Sequence, residues 1–298
     1  MKQGIADPAS LSWLPFLPLE GAGRNKSFPI GPGLYRIRRI GRTDLDYIGQ
    51  TGMGLRRRLG MLAGVYRDVM PYRAPHTVGP ALWAMLDKEG CEYEASVCPQ
   101  PDASTPHRKG WECGAIAIYR QENGQSPTFN FGRMPEGYRM SSDNNARLAA
   151  SGKRFRGGKT DQVEHSHHSG VAPSGVFNGP SKSAHWLGLG WSGWKSVDDL
   201  EAFVNPDDIG LYRIRTNDAS TLSYVGEGRI RDRIKAHLRK GADPEHPQCC
   251  FFRDVGSLEY SFIARPDLLR HQRLEVETDL IGAHVLEHQA VPLAQFLG

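Results

Sequence analysis

The sequence predicts an α/β chain, an α+β sandwich in which one unit is written twice, and three observations carry that expectation. The stretches "GLYRIRRIGRTDLDYIG" from Gly33 and "GLYRIRTNDASTLSYVG" from Gly210 open alike, and Tyr35 to Tyr47 and Tyr212 to Tyr224 are both twelve positions apart. Each is followed by an arginine-rich stretch, "LRRRLGMLAGVYRDV" and "RIRDRIKAHLRKG", with apolar residues at helical spacing. The spacing recurs at the far end: Glu112 to Pro127 and Glu277 to Pro292 are both fifteen positions, and Asn130 and Gln295, each followed by Phe, stand three beyond each proline. A repeat matched at both ends is a duplicated unit, not a chance echo.

Each half is therefore expected to run strand, strand, helix, strand, helix. The first two strands carry the paired tyrosines. Alternation and aromatic content make strands of "EYEASVCPQ" and "LEYSFIARP". Helices follow in "RKGWECGAIAIYRQENG" and "LEVETDLIGAHVLEHQA". The first copy is longer, and its extra "MPYRAPHTVGPALWAMLDKEG" is expected to hold a loop and a further helix. The lead-ins "LSWLPFLPLEG" and "WLGLGWSGWKSVDDLEAFVNPDD" are expected to pack on their own copies. These segments divide the chain into a first unit with its lead-in at 1–145, a Gly/Ser/basic linker at 146–183, and a second unit with a Trp-rich lead-in at 184–298.

The bulk numbers agree with packed cores. The 298 residues are 39% hydrophobic and 23% charged, which excludes global disorder. A formal net charge of +4 permits a nucleic-acid partner without demanding one. Five cysteines with no Cys-x-x-Cys pair suggest neither a structural zinc site nor a disulfide framework. No apolar run approaches the ~18 residues of a membrane span. The N-terminal stretch is broken by Pro15 and Pro18 and lacks a signal peptide's apolar core. A cytoplasmic protein with no membrane partner is expected.

Gly33-Leu34-Tyr35 with Tyr47-Ile48-Gly49, and Gly210-Leu211-Tyr212 with Tyr224-Val225-Gly226, resemble the signature of the GIY-YIG endonuclease superfamily. The order Tyr, Tyr, Arg, His, Glu, Asn extends the resemblance over most of both halves. It implies two tandem units, each a three-stranded antiparallel sheet flanked by helices. It also implies a divalent-metal-dependent endonuclease that uses Mg²⁺ or Mn²⁺. Such chemistry needs a water aligned and deprotonated, a guanidinium and a cation to neutralise phosphate charge, and a carboxylate to hold the cation. In the first copy the resemblance places Tyr35 and Tyr47 around the water and phosphate, Arg58 on the phosphate, Glu112 on the metal, and Asn130 at the closing position. In the second copy it places Tyr212, Tyr224, Arg233 and Glu277 in the same roles. His237, four positions after Arg233 on one helix face, is the candidate general base.

Each copy departs from the pattern once. The first has Leu62 where the histidine belongs, with Tyr66, His76 and His107 as nearby alternatives and Tyr35 itself as a candidate base. The second has Gln295 in place of the asparagine, and Glu275 competes with Glu277. DNA, double-stranded, is the expected partner of a monomer or homodimer. Arg56 and Arg57, with Lys153, Arg154, Arg156 and Lys159 of the acid-free "SGKRFRGGKT", are the candidate nucleic-acid contacts. The "HSHH" run at His165–His168 reads as a solvated loop. A restriction or defence role is the expected setting. The alternatives are a repair or mobile-element nuclease with one active copy, and a non-catalytic nucleic-acid-binding protein built from decayed nuclease units.

Overall fold

The computed structural model describes residues 10–71, 78–140, 158–159, 168–175, 177 and 179–297. The chain is α+β and forms two compact units. One comprises the described residues of Leu11–Ser104 and Ser126–Gly170; the other those of Met1–Ser10, Thr105–Gln125 and Val171–Gly298.

Each unit is built on a four-stranded antiparallel sheet. In the first, β1 (Leu17–Pro18), β2 (Gly33–Arg39), β3 (Tyr47–Thr51) and β4 (Tyr93–Pro99) take the order β1-β4-β2-β3. A small ribbon of β5 (Tyr138–Arg139) and β6 (Gly158–Lys159) stands apart. In the second unit, β7 (Lys195–Ser196), β8 (Ile209–Thr216), β9 (Tyr224–Arg229) and β10 (Leu258–Ala264) repeat the order as β7-β10-β8-β9. The register repeats too: Tyr35 pairs with Gly49 and Val97, and Tyr212 with Gly226 and Phe262.

The fourth strand is the difference from the expected three. Each lead-in supplies it, through Leu17 opposite Ala95 and Lys195 opposite Tyr260, so that β4 and β10 are no longer bare edges. Strand alternation explains what holds it there. Tyr35 and Ile37 point into the core, which turns Arg36 and Arg38 to the other face. There Arg36 lies over Trp13 at 4.7 Å and Arg38 over Phe16 at 3.8 Å. The second copy repeats the clamp, with Arg213 4.3 Å from Trp191 and Arg215 4.0 Å from Trp194. Such cation–aromatic contacts are worth ~0.5–2 kcal/mol each, more when desolvated. Arg213 is fully buried and donates to Ser181 O and Ser261 Oγ, and burial lowers its pKa to about 9. The "YRIR" of both copies is thus half core and half clamp.

In the first unit α1 (Leu55–Leu62) buries Leu55, Leu59 and Leu62 against Tyr35 and Ile37, and the extra segment forms α2 (Val78–Glu89). In the second unit the arginine helix α4 (Ile230–Gly241) buries Ile230, Ile234 and His237. The two glutamate helices, α3 (Thr105–Asn123) and α5 (Arg270–His288), both belong to this unit and pack on each other.

That pairing is antiparallel and locally two-fold. A Cβ on Gly282 would stand 2.7 Å from the Ala117 Cβ, and one on Gly110 would stand 3.3 Å from Val285 Cγ2. Ala117 and Gly282 each follow their own glutamate by five residues, so equivalent positions meet at the crossing. Small residues there let the backbones close, and a larger side chain at Gly282 would clash. Symmetry breaks where Gly110 meets Val285. The equivalent contact is Arg120 against Glu275 at 3.6 Å, and Arg120 also pairs with Asp279 at 2.8 Å. All three charged groups are fully buried, so this charge match joins α3 to α5 and not either helix to a copy of itself.

Among the described residues no helix is long and apolar enough to cross a membrane.

Candidate active site

In the second unit the predicted residues converge. Tyr212 from β8 and Tyr224 from β9 lie side by side with ring centroids 6.2 Å apart. Close approach dictates the glycine between them: a Cβ on Gly226 would overlap the Tyr212 hydroxyl. From α4, His237 packs against Tyr224 at a tilt, ring centroids 4.2 Å apart, and its Nε2 lies 3.0 Å from the Tyr212 hydroxyl. Arg233, one turn earlier, is held above its ordinary pKa chiefly by Tyr212, and less by Tyr224 and Glu277. Tyr224, Arg233 and Glu277 line one cavity of ≈ 400 Å³, together with Lys240, Gln248 and Cys113.

The electrostatics separate the roles. Tyr212 is buried, and burial raises its pKa well above the ordinary value; Tyr224 is pushed up to about 12, again by burial. His237 is 2% exposed, and burial, then Lys240 and Arg233, lower it to about 3. It is therefore neutral at pH 7 and stands behind Tyr212, orienting that hydroxyl. Glu277 is half-buried at the cavity wall. Burial and the neighbouring Glu227 raise it to about 8, against the pull of Arg233. Glu227 is itself paired with Arg273 at 2.9 Å. The competing Glu275 is fully buried, takes a hydrogen bond from Val171 N at 2.6 Å and faces Arg120, away from this cavity's lining.

In the first unit Tyr35 and Tyr47 lie at a similar separation, ring centroids 6.0 Å apart, but with the rings tilted by 35° against 14° in the second pair. A Cβ on Gly49 would lie 2.5 Å from Tyr47 Cε1 and 2.8 Å from the Tyr35 hydroxyl. Arg58 projects from α1 with Nε and Nη1 buried and without a hydrogen-bond partner among the described residues. Buried guanidinium donors left open in this way suit an anion. Leu62 occupies the histidine's place and is packed into the core. The Tyr66 hydroxyl is engaged by the main chain of Tyr93, accepting from its N–H at 2.9 Å. Glu112 lies half-buried on α3, in the other compact unit.

Asn130 and Gln295 turn out to brace the second motif strand. Asn130 accepts from Ile48 N at 3.0 Å and donates to Ile48 O at 2.9 Å. Gln295 accepts from Val225 N, the equivalent amide, at 3.1 Å. The longer side chain keeps one bond of the two. Each is followed by a phenylalanine in the left-handed region, Phe131 at φ 64° and Phe296 at φ 63°. Such a conformation costs of order 1–3 kcal/mol, and its recurrence marks it as part of the repeated unit.

Of the candidate nucleic-acid contacts, Arg56 donates to Phe28 O and Lys26 O and so ties the loop before β2 to α1, while Arg57 is exposed. Lys159 stands in β6. Lys153, Arg154 and Arg156 lie outside the described residues, as do His76, His165 and His167; His168 is exposed. His107 rests against Trp111, 6.3 Å between ring centroids. Lys240, Gln248 and Glu227 lie outside the motif. Arg233, His237 and Lys240 nonetheless fall at helical spacing on one face, a signal present in the sequence.

Among the described residues no group of three or more His, Cys, Asp and Glu side chains is gathered to hold a metal ion. A hard cation completed by phosphate oxygens and water needs only one or two protein carboxylates. Glu277, a carboxyl beside a second carboxylate at a cavity wall, fits that modest demand. No family model matches the chain, and no curated protein and no solved structure matches it.

Proposed function

We propose that the chain is a divalent-metal-dependent endonuclease that hydrolyses DNA phosphodiester bonds, built from two units resembling GIY-YIG nucleases. The observation that carries the reading is the second unit's cavity, where Tyr224, Arg233 and Glu277 meet in front of the Tyr212–His237 pair. Glu277 would hold Mg²⁺ or Mn²⁺, and the bound ion would neutralise charge on the phosphate. Arg233 aligns the phosphate and offsets charge that builds on its non-bridging oxygens. Tyr224, at the cavity, orients the attacking water, and Tyr212, fixed by neutral His237, packs beside Tyr224 and positions it.

Duplex DNA has two strands of opposite polarity. Two sites in one chain would allow both strands to be cut without a second subunit, in a restriction or defence role. A second reading, one live copy and one decayed twin, has its own support: Leu62 is buried where the first copy would need a histidine. The reading is tested by incubating supercoiled plasmid with the purified chain and Mg²⁺ or Mn²⁺. Nicking or linearisation that EDTA abolishes supports it. Intact plasmid, with single-stranded DNA and RNA also uncut, refutes it.

A further inference from the structure

We propose that Lys240 is a second phosphate-binding cation of the second copy's site, a catalytic residue beside Arg233. The inference deepens the phosphodiesterase reading and rests on it.

Lys240 lies seven residues after Arg233 on α4, two turns along the same face, and lines the same cavity as Arg233, Glu277 and Tyr224. Among the described residues neither Arg233 nor Lys240 has a carboxylate within ion-pairing distance. Lys240 is close enough to Arg233 for the two charges to oppose each other, and burial with Arg233 lowers its pKa. Two cations facing one cavity, neither in an ion pair with a carboxylate, repel, and a bound phosphodiester would relieve that repulsion.

The ammonium is also aimed. Its Nζ donates to Gln248 Oε1 at 2.9 Å. Gln248 is nearly fully buried, its Nε2 donates to Ala294 O at 2.8 Å, and its main-chain N–H donates to His246 Nδ1 at 3.1 Å. Ala294 adjoins Gln295, the brace on the Tyr-Val-Gly strand. One of three ammonium donors is thus used to orient the group, and the others are left for a ligand. The first copy has no counterpart: seven residues after Arg58 stands Val65, buried in the core. With Leu62 in place of His237, the copies differ twice on this helix face, and the second copy is the better equipped.

The test uses the full chain carrying Arg58→Ala, so that cutting reports the second copy. Mn²⁺-dependent nicking is measured in single turnover for this parent and for added Lys240→Met or Lys240→Arg. Duplex affinity is measured in Ca²⁺ against salt, and thermal midpoint by calorimetry. Lys240→Met is expected to slow nicking about 10²-fold at an unchanged midpoint. It should also lower the salt slope of log affinity by about one. Lys240→Arg should recover most of the rate. Nicking by Lys240→Met at the parental rate overturns the inference and leaves the nuclease reading intact. So does a slowed rate that follows a fallen midpoint and that Lys240→Arg does not repair. Wild-type cutting that vanishes in the Arg58→Ala parent also overturns the inference, since the activity then belongs to the first copy. A wild type that neither cuts nor binds DNA overturns the nuclease reading itself.

Discussion

The Tyr212 hydroxyl and His237 Nε2 lie 3.0 Å apart in a setting that keeps the imidazole neutral. Folded His237 titrates at about 3, below the ~6.5 of an unfolded histidine. The folded state therefore binds fewer protons, and its stability, complete above the unfolded value, is lost as pH falls from 6.5 toward 3. The slope is at most ~1.4 kcal/mol per pH unit for this one group. His284 adds a second such term, held by Thr221 Oγ1 and Ala290 O, while Glu277, raised to about 8, acts with opposite sign between 4.5 and 8. Comparing wild type with His237→Leu isolates the first. Urea midpoints measured at pH 7 and pH 5 should fall more for wild type than for the variant. Equal falls would mean that His237 is not buried in its neutral form.

Arg120 faces Glu275 and Asp279 in a buried cluster between α3 and α5. Arg120→Met leaves two carboxylates without their cation and should destabilise the chain by ~3–5 kcal/mol. The triple variant Arg120→Met, Glu275→Gln, Asp279→Asn removes the charges together and should regain much of that loss in urea unfolding. Equal instability of both variants would assign the loss to packing and not to charge.

Asn130 holds Ile48 by two hydrogen bonds, and Gln295 holds Val225 by one. Each orphaned buried main-chain group costs ~1–3 kcal/mol. Asn130→Ala should therefore cost about twice what Gln295→Ala costs, and amide exchange should quicken at Ile48 and Val225 respectively. A Gln295→Ala chain with unchanged Val225 protection would remove the brace from the account.

A methyl group at Gly226 has no room beside the Tyr212 hydroxyl. Gly226→Ala should shift that tyrosine, lower stability by ~1–3 kcal/mol as overpacking does, and depress cutting by the second copy. Unchanged folding and cutting would show that the strand yields freely at this point.

Much of the fold is legible in the sequence because its signals are local. The strand alternation of Tyr35, Ile37, Tyr212 and Ile214 and the helical spacing of Leu55, Leu59 and Leu62 are each written within a few residues. The fourth strands are not, since two-residue elements such as Leu17–Pro18 have no period and depend on Arg36 and Arg213 meeting distant aromatic side chains. The α3–α5 pairing is equally hidden, because Arg120 finds its carboxylates more than a hundred residues away. Within the site, spacing brings Tyr212, Tyr224, Arg233 and Glu277 to notice. It cannot tell that Asn130 grips a main chain, because an amide's partners are set by the fold around it. Nor can it tell that His237 stands behind Tyr212.

Two phosphodiesterase sites in one chain are tested most directly by cutting supercoiled plasmid in Mn²⁺ with wild type, Arg58→Ala, Glu277→Ala and the double variant. The two-site arrangement predicts linear product from wild type, nicked circles from each single variant, and intact plasmid with the double. Wild-type cutting that persists unchanged in the double variant would contradict it.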